Sequence, residues 1–289
     1  MSTLASAAID FAAAADEDSP LRRSLYRRYR EKIDARESWN DALSTILSHR
    51  SVRSFLTDPL PAGTLELLVA AAQSAPSSSN LQVWSVVAVE DPARKARLAE
   101  FAGAQRQIVE APLFLVFVAD LARLQAIAED RGGATLAGLD YLEGFVLGVV
   151  DASLAAQNAV VAAESIGLGT VYIGAIRNHP DEVARELVLP PRSVPVFGLC
   201  VGRPDPAVVT DVKPRLPQAA VLHRERYSRA AQQEPIKRYD VHSAAFRREQ
   251  KLAPIDWTRQ VIERLKTVDA LKGRHRLREI FARLGFALR

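Results

Sequence analysis

Residues 148–178 read GVVDASLAAQNAVVAAESIGLGTVYIGAIRN, and the fold is decided there. From about Tyr141 to Ile166, Gly144, Gly148, Ala152, Ala155, Ala156, Ala159, Ala162 and Ala163 place small apolar residues around almost the whole helical circumference. A helix apolar all round is a buried one, inside a domain or in a subunit interface. Gly167 and Gly169 end it as glycine C-caps do, and the β-branched run TVYIGAI (170–176) predicts a strand.

Working outward, QVWSVVAVE (82–90), PLFLVFVAD (112–120) and VPVFGLCVGRP (194–204) are further predicted strands. Helices are predicted around Leu21, Leu25 and Tyr29, and from Trp39 through Leu43, Ile46 and Leu47 to the basic segment HRSVRSF (49–55). Others follow Pro61, with Leu65, Leu68, Val69 and Ala72 on one face before APSSSN (75–80), and cover 92–101. Another is opened by Pro180, Asp181 and Glu182, acids over its N-terminal dipole. TDVKPRLP (210–217) reads as a loop, and helical pieces follow near 237–250, 255–271 and 275–285. Helices and strands alternate without βαβ spacing, so an α+β fold is expected: a mixed sheet flanked by helices, with one long buried central helix. Residues 1–38 read as an appendage, 39–230 as the core, and 231–289 as a helical basic extension of the same domain.

The chain has 289 residues, 48% hydrophobic and 25% charged, which excludes global disorder and fits a soluble globular protein. Its one cysteine, Cys200, sits in an apolar strand and reads as buried and inert. The first residues carry acids where a signal peptide needs an apolar stretch, and the run from Ala111 to Ala119 falls short of a membrane span. A cytoplasmic protein is expected. Charge is uneven: residues 211–289 carry a net +10 and the first 210 a net −6. That distribution suits an anionic partner, or simply the solvated face of Arg-rich helices.

HExxH, GxSxG, Walker A and a post-strand GxGxxG are all missing, and histidines 49, 179, 223, 242 and 275 have no ligand spacing. Neither a metal site nor a catalytic side chain is singled out. Two basic clusters remain, His49-Arg50-Ser51-Val52-Arg53 and Lys213-Pro214-Arg215, and they suit a phosphate. The Ser77-Ser78-Ser79-Asn80 run adds hydroxyl and amide groups. Taken singly, each also reads as ordinary structure: a helix end, a solvated loop and a turn.

The order of segments is more specific than any one of them. HRSVRSF, PSSSNLQ, GAQRQ, the 148–178 stretch, VPVFGLCVGRP and KPRLP together resemble the nitroreductase superfamily, in its NADPH-dependent nitroreductase and FMN reductase branch. The resemblance runs from about Leu43 to Tyr227 and leaves residues 1–38 unassigned. It implies an FMN-dependent enzyme with an intertwined homodimer architecture. In it His49, Arg50, Ser51 and Arg53 would take the FMN phosphate and the pyrimidine side of the ring, and Ser77 and Gln105 would hydrogen-bond the flavin. Tyr172, Ile173, Gly174 and Ala175 would line the ring, with Ala175 replacing a family glycine, and Lys213 and Arg215 would close on the phosphate. A fixed guanidinium beside the flavin would stabilise the negative charge that hydride transfer brings. In FRREQKLAPIDW (246–257) Arg248, with Arg247 as alternate, would contact the 2′-phosphate of NADPH.

The implied chemistry is ping-pong hydride transfer from NADPH, through FMN, to a small-molecule acceptor: a nitroaromatic, a quinone or a flavin. Two other readings stay open. One is another superfamily member, a dehalogenase or a flavin-destroying enzyme. The other is a nucleic-acid or acidic-partner binding module using the basic C-terminal region, for which Tyr227, Tyr239, Phe246, Trp257, Phe281 and Phe286 are sparse aromatics.

Overall fold

The structure, a computed structural model, describes residues 19–289 except 34 and 37. The Ala-rich and acidic start of the appendage lies outside the described residues. In chain order the elements are α1 (Pro20–Tyr29), α2 (Asp41–Ser48), α3 (Thr64–Gln73), β1 (Trp84–Val89), α4 (Pro92–Phe101), α5 (Arg106–Glu110), β2 (Leu113–Asp120) and α6 (Ala122–Asp130). Then come α7 (Leu142–Ser165), β3 (Gly169–Ile173), α8 (Pro180–Glu186), β4 (Ser193–Gly202), α9 (Gln233–Glu249), α10 (Trp257–Leu265) and α11 (Leu277–Arg283). They divide into two compact units, one of residues 50–210 with 261–289, the other of the residues up to His49 with 211–260.

The first unit is built on a four-stranded sheet of order β1-β2-β4-β3. These strands pair antiparallel, and among the described residues the parallel component of the sheet is a single bridge from Ser51 to Thr170. β2 is buried on both faces. Leu115, Phe117 and Ala119 belong to one apolar cluster with α3 and α7, while Phe114, Val116 and Val118 belong to another with α4, α5 and α8. Each Leu, Val or Phe among them contributes about 1.5–3 kcal/mol on burial. Two glycines set how closely these layers approach. A Cβ on Gly198 would stand 2.2 Å from Phe114 Cζ, and one on Gly148 would stand 2.9 Å from Ala119 Cβ, so α7 lies tight on β2.

By length and composition α7 could cross a membrane, but Gly148, Ala152, Ala155 and Ala159 are buried where it packs against α3 and β2. One stripe stays open: Leu142, Val146, Val150 and Leu154, spaced four residues apart, are exposed.

Several predicted boundaries move. The strand expected over 170–176 stops at Ile173, because Gly174–Asn178 winds into a 3-10 turn whose Arg177 donates to Val196 O. The helix expected over 255–271 stops at Leu265; beyond it the left-handed Lys272 (φ 50°) and Gly273 (φ 87°) turn the chain. The helices α5 and α6 are additional to the predicted ones.

The second unit has few large apolar contacts and many polar ones. α1 buries Leu21, Leu25 and Arg28. Arg27 pairs with Asp211 (2.5 Å), Arg30 holds Glu249 bidentately (3.1 and 2.8 Å), and Arg238 pairs with Glu31 (2.8 Å). On α9, Tyr239 donates to Pro214 O (2.9 Å) and packs edge-on against Trp257. Asp240 accepts from the Thr258 backbone N–H and hydroxyl, capping α10.

Candidate functional site

The HRSVR segment enters the sheet unit as an extended piece beside β3. Val52 N–H donates to Thr170 O (2.9 Å), and Phe55 bridges to Pro204. Val52 and Phe55 are buried, so Arg50 and Arg53 are left on the exposed side. Neither guanidinium has a hydrogen-bond or ion-pair partner among the described residues. The bridge at Ser51 thus places this segment next to the strand that leads into Tyr172-Ile173-Gly174-Ala175.

That strand ends in a shaped surface. Ile173 is buried, while Tyr172 is partly exposed and packs edge-on against Phe197 at 5.0 Å. Its hydroxyl donates to Gln157 Oε1 at 3.4 Å. Apolar surroundings, and Glu164 nearby, push the Tyr172 phenol well above its ordinary value, so it stays neutral. Gly174 and Ala175 begin the turn, and Ala175 packs against the buried cluster containing Phe114 and Ile176. The methyl that replaces the family glycine is accommodated there. The turn's far end adjoins the loop carrying Gln105: a Cβ on Gly103 would lie 3.7 Å from Asn178 Nδ2. Gln105 Oε1 accepts from Gln107 Nε2 (2.7 Å), so the carbonyl end of its carboxamide is engaged.

The serine run is held by a residue that sequence reasoning did not single out. Asp151, 1% exposed in the middle of α7, accepts from Ser77 Oγ (2.7 Å), Val83 N–H (3.2 Å) and Ser78 N–H (3.4 Å). Ser77 Oγ in turn accepts from Gln82 N–H (2.8 Å). Its single proton is therefore committed to Asp151, and the groups the turn leaves exposed belong to Ser78, Ser79 and Asn80. Ser79, Asn80 and Gln82 are left-handed (φ 49°, 54° and 50°), a cost the Asp151 contacts offset. Ser77 also lines a hollow of about 270 Å³ with Gln82, Trp84 and Arg123. The signal was available: an acid in a helix apolar all round must be paired.

Also in the sheet unit, an apolar groove of about 540 Å³ is lined by Phe145, Val149, Phe197 and Phe281, together with Arg177 and Arg278. Burial lowers the affinity of Arg177 for its proton. Cys200 is buried and its thiol is pushed far up, which removes it as a nucleophile.

His49, Lys213 and Arg215 lie in the other unit with Arg247 and Arg248. Lys213 and Arg215 are exposed; Arg215 donates to Lys213 O (3.2 Å). Arg28, a second residue not singled out, donates to the carbonyls of both basic segments, at Lys213 O and His49 O. Its signal was positional, since 21, 25 and 28 share one helical face. On α9 Arg247 Nε donates to Ala253 O (2.6 Å), whereas Arg248 is exposed and its guanidinium has no partner among the described residues. Among the described residues no group of His, Cys, Asp and Glu gathers as a metal site requires.

An antiparallel sheet sealed by one glycine- and alanine-rich helix, with the basic segment bridged to the strand that leads into the Gly174 turn, is the arrangement of a protein of the nitroreductase family. The family model covers residues 46–203, and the model for the family's C-terminal domain covers 213–289; the chain belongs to this family. Among its relatives is the FMN reductase (NADPH) of Bacillus subtilis, 44% identical over 189 residues, 65% of this chain and 75% of that one. The oxygen-insensitive NADPH nitroreductase of Salmonella typhimurium is 40% identical over 204 residues, 71% of this chain and 81% of that one. The solved NADPH:FMN oxidoreductase from Vibrio harveyi, complexed with NAD+, superposes with a TM-score of 0.76 at 36% identity, covering 86% of this chain and 100% of that one.

Proposed function

We propose that this chain is an FMN-dependent NADPH oxidoreductase that passes hydride to a nitroaromatic, quinone or flavin acceptor. The observation that carries the reading is the Ser51–Thr170 bridge, which sets two sequence-distant segments of the family pattern side by side. The residues fit the group. Arg50 and Arg53 offer unpaired guanidinium groups, Gln105 offers amide donors, and Gly174 opens a tight turn beside a neutral tyrosine.

Bound FMN supplies a two-electron relay between the dinucleotide and the acceptor. Around it Arg50, Ser51 and Arg53 hold anionic and carbonyl groups by charge-assisted hydrogen bonds. Tyr172, Ile173, Gly174 and Ala175 form the wall against the ring, and Gln105 donates to its polar rim. Ser77, fixed by Asp151, keeps the serine turn in place. His49, Lys213 and Arg215 are assigned to the phosphate on the family resemblance. Arg248 recognises the 2′-phosphate of NADPH, a role supported by its uncommitted guanidinium, while Arg247 is held by Ala253 O. Donor and acceptor alternate at one site, and an open apolar slot over a flavin selects weakly among acceptors.

The protein works as a homodimer in the cytoplasm. The open stripe Leu142, Val146, Val150 and Leu154 on an otherwise buried helix supports the dimer, and a single buried thiol suits a reducing compartment.

The test is anaerobic bleaching of the bound flavin's visible band. NADPH is expected to bleach it faster than NADH, and Arg248→Ala should raise the KM for NADPH about tenfold while leaving that for NADH unchanged. Failure to bind FMN on titration would overturn the reading.

A further inference from the structure

Both family models leave out α1, since they begin at residue 46 and resume at 213. Yet α1 is the hub of its unit. Arg28 is 7% exposed and spends its guanidinium on three main-chain carbonyls: Lys213 O (2.9 Å) from Nη1, and Leu47 O (2.9 Å) and His49 O (2.8 Å) from Nη2. The link runs both ways, because Arg215 N–H donates to Arg28 O (2.9 Å). Flanking residues repeat the pattern: Arg27 pairs with Asp211, and Arg30 with Glu249.

We propose that Arg28 is a positioning residue for phosphate binding: by tying the carbonyls of Leu47, His49 and Lys213 together, it aims His49, Lys213 and Arg215 at the phosphate monoester of FMN. This rests on the proposed FMN reading. The geometry follows from the planar trans peptide, in which C=O and the next N–H point in opposite directions. Holding His49 O toward Arg28 turns the N–H of the His49–Arg50 peptide away from it, freeing a donor for an anion. Holding Lys213 O fixes the main chain from which the Lys213 and Arg215 side chains project. A guanidinium suits the task because its rigid fork spans several acceptors at once, which an ammonium on a flexible stem does less well. The positive charge is itself enclosed, so its field adds to that of the basic side chains without occupying the anion's place.

The test compares FMN with riboflavin, which lacks the phosphate, on the full-length apoprotein. Wild type should bind FMN more tightly than riboflavin. Arg28→Ala should weaken FMN by about tenfold while riboflavin changes by less than about twofold. Arg28→Lys should recover part of the preference, and it decides the question if Arg28→Ala does not fold. Leu21→Ala, which loosens the apolar side of α1, serves as the structural control and should leave the FMN-to-riboflavin ratio near the wild-type value. NADPH and NADH form a second arm: an Arg28→Lys or Arg28→Ala effect confined to NADPH would place the action at the 2′-phosphate and overturn the proposal. Parallel weakening of FMN and riboflavin would show a merely structural arginine and also overturn it. Equal binding of both flavins by wild type would overturn the phosphate assignment itself, whereas a wild-type preference that survives Arg28→Ala would overturn only the role of Arg28.

Discussion

β2 buries seven consecutive residues, Leu113 to Ala119, whereas α1 buries Leu21, Leu25 and Arg28 and commits Arg27 and Arg30 to carboxylates. The sheet unit is held by apolar area, which charge screening does not weaken and which is intolerant of lost volume. The α1–α9 unit is held by guanidinium contacts to carboxylates and carbonyls, which are directional and partly screened by salt. The contrast matches the proposed tasks. Rigid packing suits the ring wall proposed at Tyr172–Ala175, while a basic unit suits the phosphate groups proposed for it.

The comparison is broken most severely in the sheet. Phe114→Ala removes a fully buried ring against Gly198 and should cost about 3–5 kcal/mol, read as a lower midpoint in urea unfolding. Next comes Asp151→Asn, a polar lesion in the same apolar layer. The amide cannot accept at both former oxygens, so part of the Ser77, Ser78 and Val83 set is lost. About 2 kcal/mol of stability should go, together with weaker FMN binding; unchanged melting and unchanged FMN affinity would refute the pinning role.

Smaller effects sharpen the contrast. Glu249→Gln removes the charge and one of the two acceptor oxygens of the Arg30 pair and should cost about 1 kcal/mol. Raising salt from about 0.05 to about 1 M should speed amide exchange in α1 and α9 but leave β2 and β4 unchanged. The smallest effect is in pH. The Arg192 hydrogen bond to Asp140 holds that carboxyl below its usual range. Its contribution is present above the ordinary carboxylate pKa and fades as acid titrates through the lowered value. Asp140→Asn should therefore flatten slightly the acid limb of the thermal-stability profile.

Much of the sheet unit was legible because its information is local. Periodicity marks β1, β2, β4 and α7 to within a residue or two, and Gly167 marks the end of α7. Legibility failed where the cause is distant. Nothing near Ile173 announces that Arg177 folds back onto Val196 O, and nothing near Arg28 announces carbonyls at 47, 49 and 213. The family pattern located the candidate flavin residues, but not Asp151 or Arg28, whose work is done through other residues.

The Arg28 contacts also order events during synthesis. Lys213 follows Arg28 by 185 residues, and Glu249 follows Arg30 by 219. At cellular elongation speeds that interval is roughly 10–40 s. α1 and its near partners at Leu47 and His49 leave the ribosome long before Lys213 and Glu249 exist, while β1 and β2 can already pair. The helix is thus locked late relative to its own synthesis, and the basic segments it gathers acquire their final geometry only once Lys213 and Arg215 have been made.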